Sequence, residues 1–370
     1  MISKNNLGKT FQSLKDELSS KVFENTELAK EKVTQFFEQG VPPAQSEAFQ
    51  AVLNGVIGDH LERNNSRLAS KMAFSDQTQT LSDSATVLST QLPDASSRII
   101  LCVHGWCMAE KGWQRKGHDM GQSLASSGYT PIYLRYNTGN HISLNGEEFA
   151  FRLEKLIQAW PCEVTELVII GHSMGGLVTR SACHYAEANQ LGWLSVLQTF
   201  ITLGTPHNGA PLAQLACWID DLVANTPQLK LIQKIGEIRS SGTKDLSKGY
   251  TQHIDWQQRD SEDEQVVDGL SFSRPVLPAN THCYAIATCL GKNLKDDNNR
   301  RLGDGLVPVK SALGESTKGV MALAYPEENK WVAGGINHLD LLSHPRVIAK
   351  VKEWVLLNTV DHPSRFIALK

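Results

Sequence analysis

The segment that most constrains the fold of this chain is Leu167–Ala188. Four apolar residues (LVII, 167–170) run without a break into Gly171-His172-Ser173-Met174-Gly175-Gly176, and a helical pattern follows through Leu177–Ala188. An apolar run with no polar alternation belongs to a strand buried on both faces, which is the habit of a parallel sheet covered by helices. A strand that passes straight into a helix must turn sharply. Only small residues fit beside such a turn, so Gly171 and Gly175 suit the positions two before and two after Ser173.

The same rhythm extends to either side. Short apolar strands are predicted at Arg98–Val103, Thr130–Tyr136, Leu197–Leu203, His282–Leu290 and Val320–Tyr325. Helices are predicted near residues 117–127, at Gly146–Trp160 and at Val347–Leu357. The expected class is α/β, with a mostly parallel sheet covered by helices on both faces. Residues 208–280 interrupt the alternation and are expected to form a cap or lid inserted in the main α/β domain, which spans 98–360. Their amphipathic stretch runs from Leu212 through Val223, and a polar, acidic run follows at 260–264. The plainer alternative is a helix packed on the sheet.

Residues 1–75 form a separate helical segment. Phe11, Leu14, Leu18 and Val22 recur at helical spacing; Val33, Phe36 and Phe37 do so next, then Phe49, Val52, Leu53, Val56, Ile57 and Leu61. Pro42 and Pro43 separate the last two stripes. These stripes are expected to pack on the neighbouring domain. The sharper alternative is peripheral membrane contact, because Lys4, Lys9, Lys15 and Lys21 flank the first stripe. Residues 76–97 read as a linker or an edge hairpin.

Chemistry concentrates at Ser173. The turn holds it in a strained conformation at the positive end of the next helix, exposing Oγ for nucleophilic attack. A tight βα turn with an incidental serine is the plain alternative, and His172 beside it reads as a packing residue. An oxyanion needs two donors. One is the Met174 backbone N–H; the other is expected from His104-Gly105-Trp106, most simply the Trp106 backbone N–H. His104 precedes the serine and is not the expected base. Downstream, Asp304 sits between glycines in GDGLVP and is the candidate acid; Asp296 and Asp297 compete from a solvated DDNNRR loop. His338 in GINHLD is the candidate base, with His344 and His362 as later alternatives.

Taken together, GHSMGGLVTRSA, ITLGTPHNGAPLA, GDGLVPVKSALG and NHLDLL resemble the α/β-hydrolase superfamily, in particular bacterial lipase- and esterase-like proteins and GPI inositol-deacylase-like serine hydrolases. The resemblance covers roughly residues 95–360. It implies an α/β-hydrolase fold and a Ser173-His338-Asp304 triad. It also implies hydrolysis of carboxylic esters of lipid-like or other hydrophobic substrates through an acyl-enzyme. An acyltransferase with the same triad, or a non-catalytic binding protein on the same scaffold, are the alternatives. No cofactor is expected. In calcium-containing bacterial lipases the Asp two residues after the catalytic His ligates Ca²⁺; Asp340 matches that position, and a loop-fixing Asp is the competing role. His104, His207 in GTPHNG and Trp218 are candidate pocket residues.

Charge and cysteine content narrow the setting. Lys and Arg total 36 against 39 Asp and Glu, which argues against a nucleic-acid partner. Seven cysteines with no C-x-x-C form no disulfide framework. No 18-residue apolar run and no secretory-type leader is visible, so a soluble cytoplasmic enzyme is expected.

Overall fold

The structure is a computed structural model and describes residues 46–224, 240–257, 275–316 and 322–360, together with Glu31 and Thr34. The stripes expected at 11–22 and 33–37, the prolines between stripes and the acidic run at 260–264 lie outside the described residues.

In chain order the elements are α1 (Ser46–Arg63), β1 (Ala73–Ser75), α2 (Ala85–Gln91), β2 (Arg98–Val103), β3 (Gln114–Arg115), β4 (His118–Asp119) and α3 (Gln122–Ala125). There follow β5 (Thr130–Arg135), α4 (Ile142–Ala159), β6 (Glu166–His172), α5 (Met174–Ala188) and β7 (Leu197–Leu203). The remaining elements are α6 (Leu212–Ala224), α7 (Ser241–Lys248), α8 (His253–Gln257), β8 (His282–Cys289), α9 (Asp297–Leu302), α10 (Val309–Ala312), β9 (Lys330–Gly334) and α11 (Pro345–Val360). Seven strands form one sheet in the order β1-β5-β2-β6-β7-β8-β9. Only β1 runs antiparallel to its neighbour.

Strand side chains alternate between faces, and each face has its own core. Ile99, Leu101, Val103, Leu167 and Ile169 pack with α1, α4 and α5. Ile100, Cys102, Val168 and Ile170 pack with α3 and α11 on the other side. This is why the strands read as continuous apolar runs. Each fully buried Leu or Ile contributes roughly 1.5–3 kcal/mol.

Helix α1 sits deeper than a surface stripe. Residues 51–61 are buried apart from the half-buried Asp59, and Leu53 and Leu61 are fully enclosed. The helix kinks at Ile57 (φ −134°, ψ 19°).

Three expectations need correction. The strand after β8 is Lys330–Gly334 and not Val320–Tyr325; residues 322–325 carry no strand, and 320–321 lie outside the described residues. As a sheet edge, β9 buries only Ala333 fully, so it lacks the apolar run that marks its neighbours. The helix expected at 117–127 is a single turn, Gln122–Ala125. Before it, Lys116 and Gly117 take left-handed φ values of 51° and 76° and turn the β3–β4 hairpin. The apolar piece Ala85–Leu88 belongs to a helix, α2, not to an edge hairpin. Among the described residues, no helix is long and apolar enough to cross a membrane.

Candidate active site

The site begins where β6 passes into α5. Ser173 adopts φ 53° and ψ −125°, a conformation that costs a side-chain-bearing residue roughly 1–3 kcal/mol. The surroundings leave it no alternative. A Cβ on Gly171 would lie 2.6 Å from Gly176 Cα, and one on Gly175 would lie 2.2 Å from the Val103 carbonyl oxygen. Ser173 N–H donates to the Leu203 carbonyl at 2.9 Å, which ties the turn to the end of β7. The serine is 2% exposed.

Asp304 and His338 come from the loops after β8 and β9. Asp304 Oδ1 accepts the backbone N–H groups of Leu306 (3.0 Å) and Val307 (2.8 Å). Its Oδ2 lies 2.7 Å from His338 Nδ1. The His338 N–H also donates to the Asp304 carbonyl at 3.0 Å, so backbone and side chains register the two loops together. Both residues are buried. A carboxylate held by two backbone donors and one imidazole has its orientation set on every side.

Two residues connect this pair to the serine. His172 Nε2 lies 3.0 Å from the His338 carbonyl oxygen, and the two rings are 4.7 Å apart. Gly204 follows Leu203, the acceptor for Ser173 N–H, and a Cβ there would lie 2.9 Å from Asp304 Oδ2 and 3.3 Å from His338 Cε1. No hydrogen bond among the described residues ties Ser173 Oγ to His338. Such bonds commonly tighten only when substrate is bound. Asp296, the competing acid, instead caps α9 through Asn298 N–H. His344 Nδ1 accepts the Arg346 N–H at the start of α11. His362 lies outside the described residues.

The loop after β2 approaches the serine from the opposite side. A Cβ on Gly105 would lie 2.9 Å from Ser173 Cβ. Among the described residues, neither the Trp106 nor the Met174 backbone N–H donates to another backbone carbonyl. The Trp106 indole is buried, donates from Nε1 to the Gly55 carbonyl at 3.0 Å, and stacks on Trp218 of α6 at 5.5 Å.

His104 and His207, expected on the pocket wall, are enclosed with 0% and 1% exposure. His104 stacks on Tyr136 at 4.5 Å, and its Nδ1 faces the Gly105 carbonyl. Burial pushes its pKa down to about 4. His207 belongs to a buried polar group with Arg180, Thr202 and Tyr325. Asp340 pairs with Lys116 at 2.6 Å and faces Arg115 at 4.0 Å. A carboxylate between two cations, in a region with no group of three metal-binding side chains among the described residues, does not fit a calcium ion that prefers six to eight oxygens.

In the sequence His172 reads as a packing residue, Gly204 only as part of a strand-end segment near the site, and Gly55 carries no mark. Gly204 sits at a strand end in the noted GTPHNG segment, with φ 57°, and a glycine at a strand end was the available signal.

A mostly parallel sheet with an antiparallel first strand, a serine at a strand–helix elbow, and a buried Asp–His pair on later loops together make up an α/β-hydrolase fold. A family model described as the PGAP1-like alpha/beta domain matches residues 94–265, which include Ser173 and end before Asp304 and His338. No curated protein sequence matches the chain. Among solved structures, the mature form of a Bacillus licheniformis lipase is similar at 17% identity, covering 72% of this chain and 93% of that one, with a TM-score of 0.46. An esterase from Pyrococcus furiosus is similar at 13% identity, covering 71% and 81%, with a TM-score of 0.42. EstA from Clostridium botulinum is similar at 13%, covering 71% and 87%, with a TM-score of 0.41.

Proposed function

We propose that the protein is a carboxylic ester hydrolase of hydrophobic, lipid-like esters, with Ser173, His338 and Asp304 as its triad. The observation that carries this reading is the buried 2.7 Å Asp304–His338 pair beside a serine held at φ 53°. His338 Nε2 takes the Ser173 proton as Oγ attacks the ester carbonyl carbon. The Trp106 and Met174 N–H groups receive the resulting oxyanion. His338 then returns the proton to the departing alcohol, leaving an acyl-serine. Water, deprotonated by the same imidazole, releases the acid and restores the serine. Asp304 holds the proton on Nδ1 and stabilises the imidazolium.

The Trp106–Trp218 stack supports an apolar acyl site, and in this reading residues 208–280 cap it. No step uses a cofactor or metal. A cytoplasmic setting belongs to the same reading.

The direct experiment is Ser173→Ala assayed on p-nitrophenyl esters, with a fluorophosphonate probe on the parent protein. Activity should vanish in a folded variant, and the probe should label Ser173. Unchanged turnover would sink the assignment. An acyl-chain series tests the substrate class, and a preference for short soluble esters would count against lipid-like substrates. Ester products formed from added alcohols would reveal acyl transfer.

A further inference from the structure

We propose that α1, a helix outside the region matched by the family model, is a positioning element for the oxyanion loop, acting through the Gly55 carbonyl. The inference rests on the triad reading above, because it concerns how the Trp106 backbone N–H is held in place.

Three donors from outside α1 converge on one oxygen. Gly55 O accepts Trp106 Nε1–H at 3.0 Å, Ser240 Oγ–H at 2.7 Å and Thr243 Oγ–H at 3.3 Å. A helical carbonyl ordinarily serves the N–H four residues on. Here the helix breaks two residues later, at Ile57 (φ −134°, ψ 19°). Breaks of this kind open the preceding carbonyls to outside donors. The same stretch receives the start of α7, where Ser241 N–H and Oγ–H both donate to Asp59 Oδ2.

The helix also meets the oxyanion loop by shape. A Cβ on Gly55 would lie 2.1 Å from Cys107 Sγ and 3.1 Å from Cys107 Cα, so the loop packs directly on the helix backbone. Cys107 itself takes φ 57°, and its N–H donates to Thr138 Oγ at 3.2 Å. Trp106 is therefore clamped on both sides. Its own indole is hydrogen-bonded to α1, and the next residue is held left-handed against the same helix. One residue before it, Gly105 lies against Ser173. A displacement of the indole is transmitted over a few bonds to the N–H that faces the developing oxyanion.

The test uses Trp106→Phe in the full chain, which keeps an aromatic ring for Trp218 and removes the N–H. The substrates are a p-nitrophenyl ester and its thionoester, whose sulfur gains less from oxyanion donors. The ester kcat should fall about tenfold or more, with KM within about twofold, as small displacements at a site do. The ratio of ester to thionoester turnover should narrow. Gly55→Ala should do the same, and adding Cys107→Gly, which clears Sγ and suits a left-handed φ, should restore part of the loss. Wild-type kcat and ratio in Trp106→Phe, or in Gly55→Ala if the first variant fails to fold, would overturn the proposal. So would an equal loss on both substrates, which marks general loosening. Full activity in Ser173→Ala would instead overturn the triad reading.

Discussion

His172, the residue before the elbow serine, places its Nε2 3.0 Å from the backbone carbonyl of His338. The ring is fully buried, and desolvation, aided by the neighbouring His338, pushes its pKa well below the ordinary histidine value. It is neutral at working pH, so Nε2 carries the proton and donates. The strand that leads into Ser173 thus also holds the loop that carries His338.

Replacing His172 by Phe removes this donor while keeping a ring of similar size. The orphaned carbonyl should cost about 1–3 kcal/mol of stability. The loosened loop should lower kcat while fluorophosphonate still labels Ser173. Denaturant melts and steady-state kinetics read the two effects, and a wild-type kcat would dismiss the coupling.

Gly204→Ala should be more damaging to turnover than its size suggests. The residue sits at φ 57°, and the new methyl would meet Leu341 Cδ1 at 2.6 Å, Asp304 Oδ2 at 2.9 Å and His338 Cε1 at 3.3 Å. The left-handed backbone alone costs about 1–2 kcal/mol. Moving the Asp–His pair should lower kcat about 100-fold. Loss of stability without loss of kcat would show that the pair tolerates the intrusion.

Asp304→Asn should fold almost normally, because both backbone N–H donors can still meet the retained carbonyl oxygen. Turnover should fall by about 10⁴, the loss expected when the imidazole adopts the wrong tautomer. Near-normal turnover would transfer the acid role elsewhere.

Stability should decline on mild acidification. His104 and His172 both have depressed folded-state pKa values, His104 at about 4 against a reference of 6.5. Between those limits the unfolded chain binds more protons than the folded one. The stabilising contribution of His104 is therefore complete above about pH 6.5 and is lost progressively as pH falls toward about 4, and that of His172 is lost in the same direction. Urea midpoints at pH 7.5 and 5.0 should differ in that direction. His104→Phe, which keeps the stack on Tyr136, should reduce the difference.

Asp340 should behave as an ion-pair residue. EDTA and added calcium should leave activity and Tm unchanged, while Lys116→Ala should cost no more than about 1 kcal/mol at this partly exposed pair. A calcium-dependent Tm would overturn that role.

Much of this was legible in the sequence because it is written in local pattern. The apolar strands declare a sheet buried on both faces. The glycines around Ser173 declare a turn into which no side chain fits. Asp304 and His338 stand in loops between strand and helix patterns, and the structure brings them within one hydrogen bond of each other. The edge strand Lys330–Gly334 escaped notice because its signal is pairing with β8, not burial.

What only the tertiary structure decided are the contacts between remote residues. Sheet register puts Leu203 beside His172, with Gly204 next, against the Asp–His pair. The Gly55 carbonyl, two residues before the kink in α1, accepts the Trp106 indole N–H from 51 residues away in the chain. Side-chain periodicity states which face a residue buries. It does not state which distant residue will lie opposite, because strand order and helix packing choose that partner after the local pattern is satisfied.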